Sequence, residues 1–212
     1  MEDLAIVFNT TDKYSHIWEV WYHYFKKYWT LDLPVYFLNE RLDCPFPFKQ
    51  IKVDIQGVEL WTKKFRESVK QIPENNLFVL LDDLIFIDGF REGEFEMIYK
   101  YFLDIKADAL RIRPYFMDNI AIRIPSKTPG FGKLHNNSPY LISWQPSIWK
   151  KETLLKCISP IDENPWKNEQ PGTRRIRPRR FSFHYYEKEA WFVNVLRHGK
   201  VDPKYKHLLK IK

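Results

Sequence analysis

Short apolar runs alternate with amphipathic segments through the first half of the chain. Continuous runs at 4–8, 35–38 and 77–81 are typical of strands buried on both faces, and 51–53 is a shorter candidate. Apolar residues at helical spacing between these runs predict three helices. Their apolar positions are Ile17, Trp21, Tyr24 and Tyr28; Trp61, Phe65, Val69 and Ile72; and Phe95, Ile98, Phe102 and Ile105. This alternation predicts an α/β fold with a mostly parallel sheet covered by helices.

The second half of the chain is less regular. The expected elements are strands at 109–112, 120–124 and 141–144, a long polar loop from Pro125 to Pro139, and a helix that opens at Pro146-Ser147 and runs through Ile158. The polar loop is long enough to be a lid or a ligand-binding loop. Residues 162–180 hold three prolines and an arginine cluster, which predicts irregular structure. We expect the residues after them to form a basic aromatic extension.

Length favours one domain over residues 1–212. Hydrophobic residues make up 44% of the chain, which is enough for a core, and charged residues make up 29%. The only two cysteines, Cys44 and Cys157, argue against a disulfide scaffold and favour a reducing compartment. The acidic N-terminus predicts no signal peptide, and no apolar run is long enough to span a bilayer. We therefore expect a cytoplasmic protein.

Positive charge is concentrated in the last quarter of the sequence. Residues 165–212 carry thirteen Lys or Arg against four Asp or Glu, a net +9, so the rest carries −2 of the total +7. Such a segment suits a polyanion, namely nucleic acid, an anionic membrane surface or the phosphates of a nucleotide. A solvated basic surface explains the same composition.

Two adjacent acids, Asp82 and Asp83, directly follow the most apolar predicted strand. In open α/β sheets, ligands bind outside the carboxyl ends of the strands. Paired carboxylates there suit Mg²⁺ or Mn²⁺ bridging a diphosphate. The alternative is structural, with one aspartate capping a following helix and the other exposed to solvent.

The order of these features resembles the GT-A glycosyltransferases. A polar loop follows the first strand, an acid pair follows a later one, and two further segments resemble small transferases that build surface polysaccharides and are also encoded by large DNA viruses. These segments are Trp144 to Leu155 (WQPSIWKKETLL) and Asn164 to Glu169 (NPWKNE), and the closing Gly199-Lys200 fits the same pattern. The resemblance extends from Ile6 to Lys200 and implies a Rossmann-like GT-A fold. It also implies one catalytic domain over residues 1–212, with a nucleotide-binding half at 1–124 and an acceptor-side half at 125–212. A viral member of this group would lie in the host cytoplasm.

The resemblance also implies a nucleotide-sugar site. Thr10, Thr11 and Asp12 would line the nucleoside pocket, while Lys64 and Lys200 would contact the nucleotide or its phosphates. Trp61 lies one helical turn from Lys64, but its position on the apolar face favours core packing.

Metal ligation follows from the same resemblance, with Mn²⁺ or Mg²⁺ as the cofactor. Asp82 and Asp83 would occupy a DxD-type position, with Leu81 where a full triplet has its first aspartate. We expect Asp83 to coordinate the metal and Asp82, a catalytic residue, to contact the ribose or the donor sugar. His198 and His184 are candidates for a third ligand.

Glu169 is the candidate general base in an inverting transfer, because that reaction needs a carboxylate beside the acceptor hydroxyl. Trp166 would then stack on a sugar face. The alternatives are a surface glutamate without a role in the reaction, or Asp162 or Glu163 as the base. The expected partners are a nucleotide-sugar donor, with UDP-sugar favoured, and a glycan or glycoprotein acceptor. We expect no transmembrane segment and, through the basic tail, peripheral contact with a membrane.

Three other functions compete with this hypothesis. Basic residues among tail aromatics favour a single-stranded nucleic-acid-binding module, but that function leaves the acid pair without a purpose, so we expect no nucleic-acid partner. The tail aromatics are Phe181, Phe183, Tyr185, Tyr186 and Trp191. A carbohydrate-binding domain without catalysis is the second rival. A nucleotidyltransferase is the third, although the sequence has no glycine-rich phosphate loop.

Overall fold

The elements of the fold come from a computed structural model that describes residues 1–112, 121–187, 191–197 and 200–210. Its strands are β1 (Leu4–Asn9), β2 (Val35–Asn39), β3 (Lys49–Lys52), β4 (Asn76–Leu81), β5 (Leu84–Phe86), β6 (Ala109–Ile112), β7 (Arg123–Pro125), β8 (Phe131–Leu134), β9 (Ser147–Lys150), β10 (Phe183–Tyr186), β11 (Phe192–Asn194), β12 (Leu196–Arg197) and β13 (Lys200–Val201). Its α-helices are α1 (Ser15–Tyr28), α2 (Trp61–Val69), α3 (Glu94–Asp104), α4 (Lys151–Cys157) and α5 (Pro165–Ile176).

The central sheet has the order β3-β2-β1-β4-β9-β6-β10-β8-β7 within the described ranges. Strands β3, β2, β1 and β4 run parallel, and β10 runs parallel to β6. Strand β9 is antiparallel to both of its neighbours, β4 and β6. The sheet is therefore mixed, with its parallel strands β3, β2, β1 and β4 together at one end, and the predicted α/β class is confirmed.

Helices cover both faces of this sheet because the central strands are apolar on both sides. In β1, Ile6 and Phe8 face the cluster formed with α1 and α3, whereas Val7 faces the cluster formed with α2, α4 and α5. Aromatic stacking reinforces the first cluster, with the rings of Phe8 and Trp21 centred 3.7 Å apart. The buried run of β1 thus anchors two separate cores.

Two predicted elements of the second half are wrong. The segment opening at Ser147 is strand β9, which fills the gap between β4 and β6, and the helix begins only at Lys151. Residues 141–144 form no strand, because their backbone amides bind side chains of α5 instead. The amide of Ile142 donates to Thr173 Oγ1 at 3.0 Å and that of Trp144 to Glu169 Oε1 at 2.9 Å.

The expected irregular stretch at 162–180 is also wrong, since it contains the helix α5. Asn164 caps this helix by accepting from the Lys167 amide at 2.9 Å, and Pro165 suits the first turn because its ring fixes a helical φ. Three of its four buried positions are small or polar, which hides the helical period in the sequence. The buried residues are Asn168, Gly172, Thr173 and the apolar Ile176.

The expected long loop from Pro125 to Pro139 contains most of a β-hairpin, in which β7 and β8 extend the sheet at its edge. Gly130 precedes β8 with a φ of +79°, a conformation that favours glycine. Residue 120 of the expected strand 120–124 lies outside the described ranges. The C-terminal segment is integrated into the fold, because β10 joins the central sheet and β11 pairs with β5.

Candidate functional site

The carboxyl ends of β1, β2 and β4 lie side by side at one edge of the sheet. Asn9 pairs across to Leu38 and to Leu81, so the residues that follow these three strands come together. The chain departs to opposite sides of β1 to form β2 and β4, which makes this edge a topological switch point. Ligand sites of open α/β sheets lie at such points.

Asp82 is a buried carboxylate held by the loop after β1. Its Oδ2 accepts from Thr10 Oγ1 at 2.7 Å, and Trp18 Nε1 donates to the same hydroxyl at 2.8 Å. Burial raises the pKa of Asp82 to about 6, although the Thr10 hydrogen bond and the charge of Lys64 act in the opposite direction. The structure therefore brings two predicted site residues, Thr10 and Asp82, into direct contact.

Asp83 follows Asp82, and one of its carboxylate oxygens accepts no hydrogen bond from the described residues. Asn194 Nδ2 donates to its Oδ2 at 2.7 Å, whereas Oδ1 is buried and has no hydrogen-bond partner among the described residues. Burial, followed by the charge of Asp82, raises the pKa of Asp83 to about 7. No helix begins at the pair, because β5 follows directly, so the capping alternative is wrong.

Two residues of this site were not found from the sequence. Asn194 is 111 residues from Asp83 and reaches it because β11 pairs with β5. Tyr14 faces the pair from the turn before α1: burial first, and then the charges of Asp82 and Asp83, raise the pKa of its phenol. Neither belongs to a motif, so only the three-dimensional pairing identifies them.

Lys64 is almost completely buried at the same edge. Its Nζ donates to the carbonyl oxygen of Thr10 at 2.5 Å and to Glu40 Oε1 at 2.9 Å. The other carboxylate oxygen of Glu40 accepts from the Asp12 amide at 2.5 Å. Lys64 and Glu40 therefore join α2 to the loops after β1 and β2. Trp61 of the same helix is 7% exposed, which confirms that it packs in the core.

Replacing Lys64 with methionine is expected to destabilise the fold by about 3–5 kcal/mol, because Glu40 would stay buried without a cation. Urea or thermal unfolding measures the loss. Lys63→Met, at the exposed neighbouring position of α2, is the matched control and should change the free energy of unfolding little. Equal stability of the two variants would contradict this role of the ion pair.

The Asp12 carboxylate is engaged by the loop after β2. It accepts from Asn39 Nδ2 at 2.8 Å and from the amides of Arg41 and Leu42 at 2.9 and 3.1 Å. Burial acts to raise its pKa, but these hydrogen bonds outweigh burial and lower it. Asp12 thus fixes the loop that borders the expected nucleoside pocket.

Two further polar side chains at the end of β1 are unsatisfied. Both amide atoms of Asn9 and the hydroxyl of Thr11 are buried without a hydrogen-bond partner in the part of the chain that the structure describes. An unsatisfied buried polar group costs about 1–3 kcal/mol. Thr11 thus has hydrogen-bonding capacity to spare where the nucleoside pocket was predicted, and Asn9 is an additional residue that the sequence did not identify.

Glu169 of α5 lies within electrostatic range of Asp83, and we define the region between Glu169 and the acid pair as the cleft. Its Oε1 accepts from the Trp144 amide, and burial raises its pKa against the effects of that hydrogen bond and of Arg111. The negative charge of Glu169 contributes to the raised pKa of Asp83, so the two carboxylates are close enough to interact. The structure therefore brings the predicted base and the predicted metal ligand together.

The alternative bases have other surroundings. Glu163 accepts two hydrogen bonds from the Arg175 guanidinium, at 2.9 and 3.0 Å, and is buried. Asp162 is exposed. Glu163 is therefore neutralised by an ion pair, whereas Glu169 forms no ion pair within the described ranges. The same ion pair gives Arg175 a structural role.

The histidine candidates are not brought to the acid pair. His184 lies in β10, three strands from β4, and its Nε2 is 3.0 Å from Ser182 Oγ, so the structure does not support it as a third ligand. His198 lies outside the described residues. No group of three or more His, Cys, Asp or Glu side chains suited to a metal occurs within the described ranges. Lys200 is exposed in β13, where it pairs with Arg197 of β12.

His184 predicts a pH dependence of stability. Burial, aided by Lys133, lowers the pKa of its imidazole from 6.5 to about 4, so between these values the unfolded chain binds a proton that the folded protein does not. The contribution of His184 to stability should therefore fall as the pH drops from 6.5 towards 4, while the raised pKa values of Asp82 and Asp83 act in the opposite direction. Urea unfolding at both ends of this window isolates the histidine: relative to the wild type, His184→Gln should gain stability at the acidic end. His16→Gln, at an exposed site, is the control, and a difference between His184→Gln and the wild type that does not change with pH would contradict the prediction.

Solved structures with the same fold include nucleotide-binding proteins. S. aureus TarS 1-349 in complex with UDP-GlcNAc matches with a TM-score of 0.63 and 12% identity, over 93% of this chain and 60% of that one. Its complex with UDP gives a TM-score of 0.58 and 10% identity, over 89% of this chain and 59% of that one. A putative glucose-1-phosphate thymidylyltransferase from Bacillus anthracis, in complex with a sucrose, matches with a TM-score of 0.53 and 10% identity. That match covers 93% of this chain and 90% of the other.

These similarities establish a Rossmann-like fold of the GT-A type. The chain spans about 60% of the TarS 1-349 structure. Its sequence matches no protein-family model and no curated protein. Among the described residues, no helix is both long and apolar enough to cross a membrane.

Proposed function

We propose that this chain is a metal-dependent glycosyltransferase that moves a sugar from a nucleoside diphosphate, with UDP favoured, to a hydroxyl of a glycan or glycoprotein. The observation that carries the proposal is the buried acid pair at the switch point, where Asp83 Oδ1 has no partner in the described structure. Structures of similar fold that bind UDP and UDP-GlcNAc support the choice of donor.

The residues present suit a divalent cation. An unpaired, buried carboxylate oxygen is a hard ligand of the kind that Mg²⁺ and Mn²⁺ prefer, and a cation would offset the burial cost that raises the pKa of Asp83 to about 7. Asp83 would hold the metal, with Asp82 beside it. When bound, the metal supplies positive charge that stabilises the departing diphosphate.

The donor's nucleoside would occupy the polar end of β1. Thr11 and Asn9 provide unused hydrogen-bonding groups there, while Asp12, Glu40 and Lys64 fix the surrounding loops. These contacts support a pocket that is built before the donor arrives.

Glu169 is the proposed base for an inverting transfer. Its carboxylate would take the proton of the acceptor hydroxyl as the hydroxyl oxygen bonds to the sugar carbon and the diphosphate leaves. Burial raises its pKa, which favours proton uptake, and its electrostatic interaction with Asp83 supports a position near the proposed metal site. Arg111 and the Trp144 amide would keep it ionised until that step.

A nucleotidyltransferase is the second candidate, because one structure of similar fold is that of a putative thymidylyltransferase. That reaction joins a sugar phosphate to a nucleoside triphosphate, and the attacking phosphate needs no base. A half-buried carboxylate near the acid pair, Glu169, therefore favours transfer to a hydroxyl. The two functions release different products, a nucleoside diphosphate and pyrophosphate.

The nucleic-acid-binding alternative loses its stacking surface. Of the tail aromatics, Phe183, Tyr185, Tyr186 and Trp191 are buried in the two cores, and Phe181 is half-buried. Bases could not stack on these rings without unfolding β10 and its neighbours.

A thermal-shift panel tests the proposal directly. UDP-, GDP-, dTDP- and CMP-sugars would be screened with Mn²⁺ and with EDTA, and we expect one donor class to raise Tm only in the presence of metal. Release of nucleoside diphosphate on adding acceptor glycans would then identify the transfer. No stabilisation by any donor, or pyrophosphate release from a triphosphate and a sugar phosphate, would reject the glycosyltransferase.

A further inference from the structure

The outer face of α5 combines exposed apolar and cationic side chains. We define the α5 surface as Ile161, Trp166, Lys167, Arg174, Arg179 and Arg180, all of which are exposed. Ile161 and Trp166 are 64% and 63% exposed, the two highest values among the large hydrophobic residues described. Large exposed apolar side chains that are close in sequence, as these two are at the start of α5, indicate a surface that contacts something other than water.

The geometry of α5 makes this a continuous surface. Trp166, Gln170 and Arg174 recur every four residues along the exposed side of the helix, while Asn168 and Thr173 are buried on the other side. The helix is about 18 Å long at its 12 residues, and the arginines continue past its end into a short 3-10 turn.

Positive charge predominates on the α5 surface. Of the three acids between 161 and 180, Glu163 is neutralised by Arg175 and Glu169 faces the cleft, so only Asp162 is exposed. Lys167 pairs with Glu59, but Arg174, Arg179 and Arg180 form no ion pair within the described ranges. Three unpaired guanidinium groups therefore follow the exposed indole ring of Trp166 along the helix and past its end.

We propose that the α5 surface binds an anionic lipid bilayer, with α5 lying parallel to it. Tryptophan favours the interface between headgroups and acyl chains, and arginines contact anionic headgroups. A single-stranded nucleic acid fits this surface less well. Its bases would need several aromatic rings to stack on, and the α5 surface offers one, Trp166, together with the aliphatic Ile161.

This orientation has a consequence for the reaction. Glu169 lies on the flank of the same helix, so a membrane-bound α5 would hold the cleft at the lipid surface, where a lipid-linked acceptor could enter. That consequence rests on the proposed function. Membrane binding itself does not, since it requires neither donor nor metal, so the two proposals can fail separately.

Vesicle flotation tests the surface. The full chain would be mixed with vesicles of phosphatidylcholine plus phosphatidylglycerol, and separately with phosphatidylcholine alone, over rising NaCl. We expect flotation with the anionic vesicles only, weakening as salt rises. The double variant R174Q/R179Q should weaken partitioning about 25-fold, at about fivefold per arginine. Trp166→Ala should weaken it about tenfold.

The matched control lies on the opposite face of the sheet. Met97→Ala/Lys100→Gln removes one exposed apolar group and one exposed cation from α3, which packs on the other core, and should float like the wild type. Equal flotation with both vesicle types, a Trp166→Ala variant that floats normally, or an equal loss in the α3 control would overturn the proposal. So would a protein that ignores both vesicle types but binds a single-stranded oligonucleotide in a salt-dependent way.

Discussion

Asp83→Asn is expected to lower turnover about 10³-fold and to abolish the stabilisation of the protein by metal and donor together. The amide has nearly the same shape as the carboxylate and keeps an oxygen for the Asn194 hydrogen bond, so the fold should survive. It removes the negative charge that would hold the cation. Burial makes that charge costly, as the raised pKa shows, so the metal-free variant should unfold at an equal or higher temperature than the metal-free wild type.

The measurement pairs a thermal-shift titration of donor with Mn²⁺ and a turnover assay. Asp104→Asn, at an exposed site on α3, is the matched control and should behave as the wild type. Metal-dependent donor binding that is unchanged in Asp83→Asn would contradict the metal site. A lower Tm of the metal-free variant would instead show that the carboxylate stabilises the fold.

Glu169→Gln should reduce turnover by about 10²–10⁴-fold while leaving donor binding intact. The glutamine oxygen can still accept from the Trp144 amide, so α5 and the 141–144 segment should remain joined. What is lost is the ability to take up a proton from the acceptor hydroxyl. The expected pattern is therefore a fall in kcat with an unchanged donor Kd.

Rates with saturating donor and acceptor, together with a donor-binding isotherm, separate these effects. Asp162→Asn is the appropriate control, because this neighbouring acid is exposed and was an alternative base. Full activity of Glu169→Gln would remove this residue from the mechanism, and loss of activity in Asp162→Asn alone would transfer the role to Asp162.

The first half of the fold could be read from the sequence for a simple physical reason. Strands such as β1 and β4 are buried on both faces, so every position except one terminal asparagine in each is apolar and the run stands out. The second half of the chain has few continuous apolar runs of this kind, so its elements are harder to predict. Strand β9 is a four-residue strand defined by its neighbours β4 and β6, and α5 buries a polar face whose period is invisible in hydrophobicity.

Some residues of the candidate site could be predicted from the sequence, and others could not. Thr10 and Asp82 meet because each directly follows a strand of a parallel sheet, so their proximity follows from sequence position and topology. Asn194 and Tyr14 reach the acid pair through tertiary contacts that no spacing rule contains. The role of Lys64 also depends on tertiary contacts, since its partners, Thr10 and Glu40, lie in two different loops.

The Lys64–Glu40 ion pair affects how the two sides of the cleft can respond to substrates. Because it links three chain segments internally, the proposed donor side is preorganised, and binding there should cost little conformational entropy. The proposed acceptor side depends on α5, whose side chains of Thr173 and Glu169 accept hydrogen bonds from backbone amides of the 141–144 segment. Under the proposed function, evolution could therefore change acceptor preference by altering α5 without disturbing the recognition of the donor.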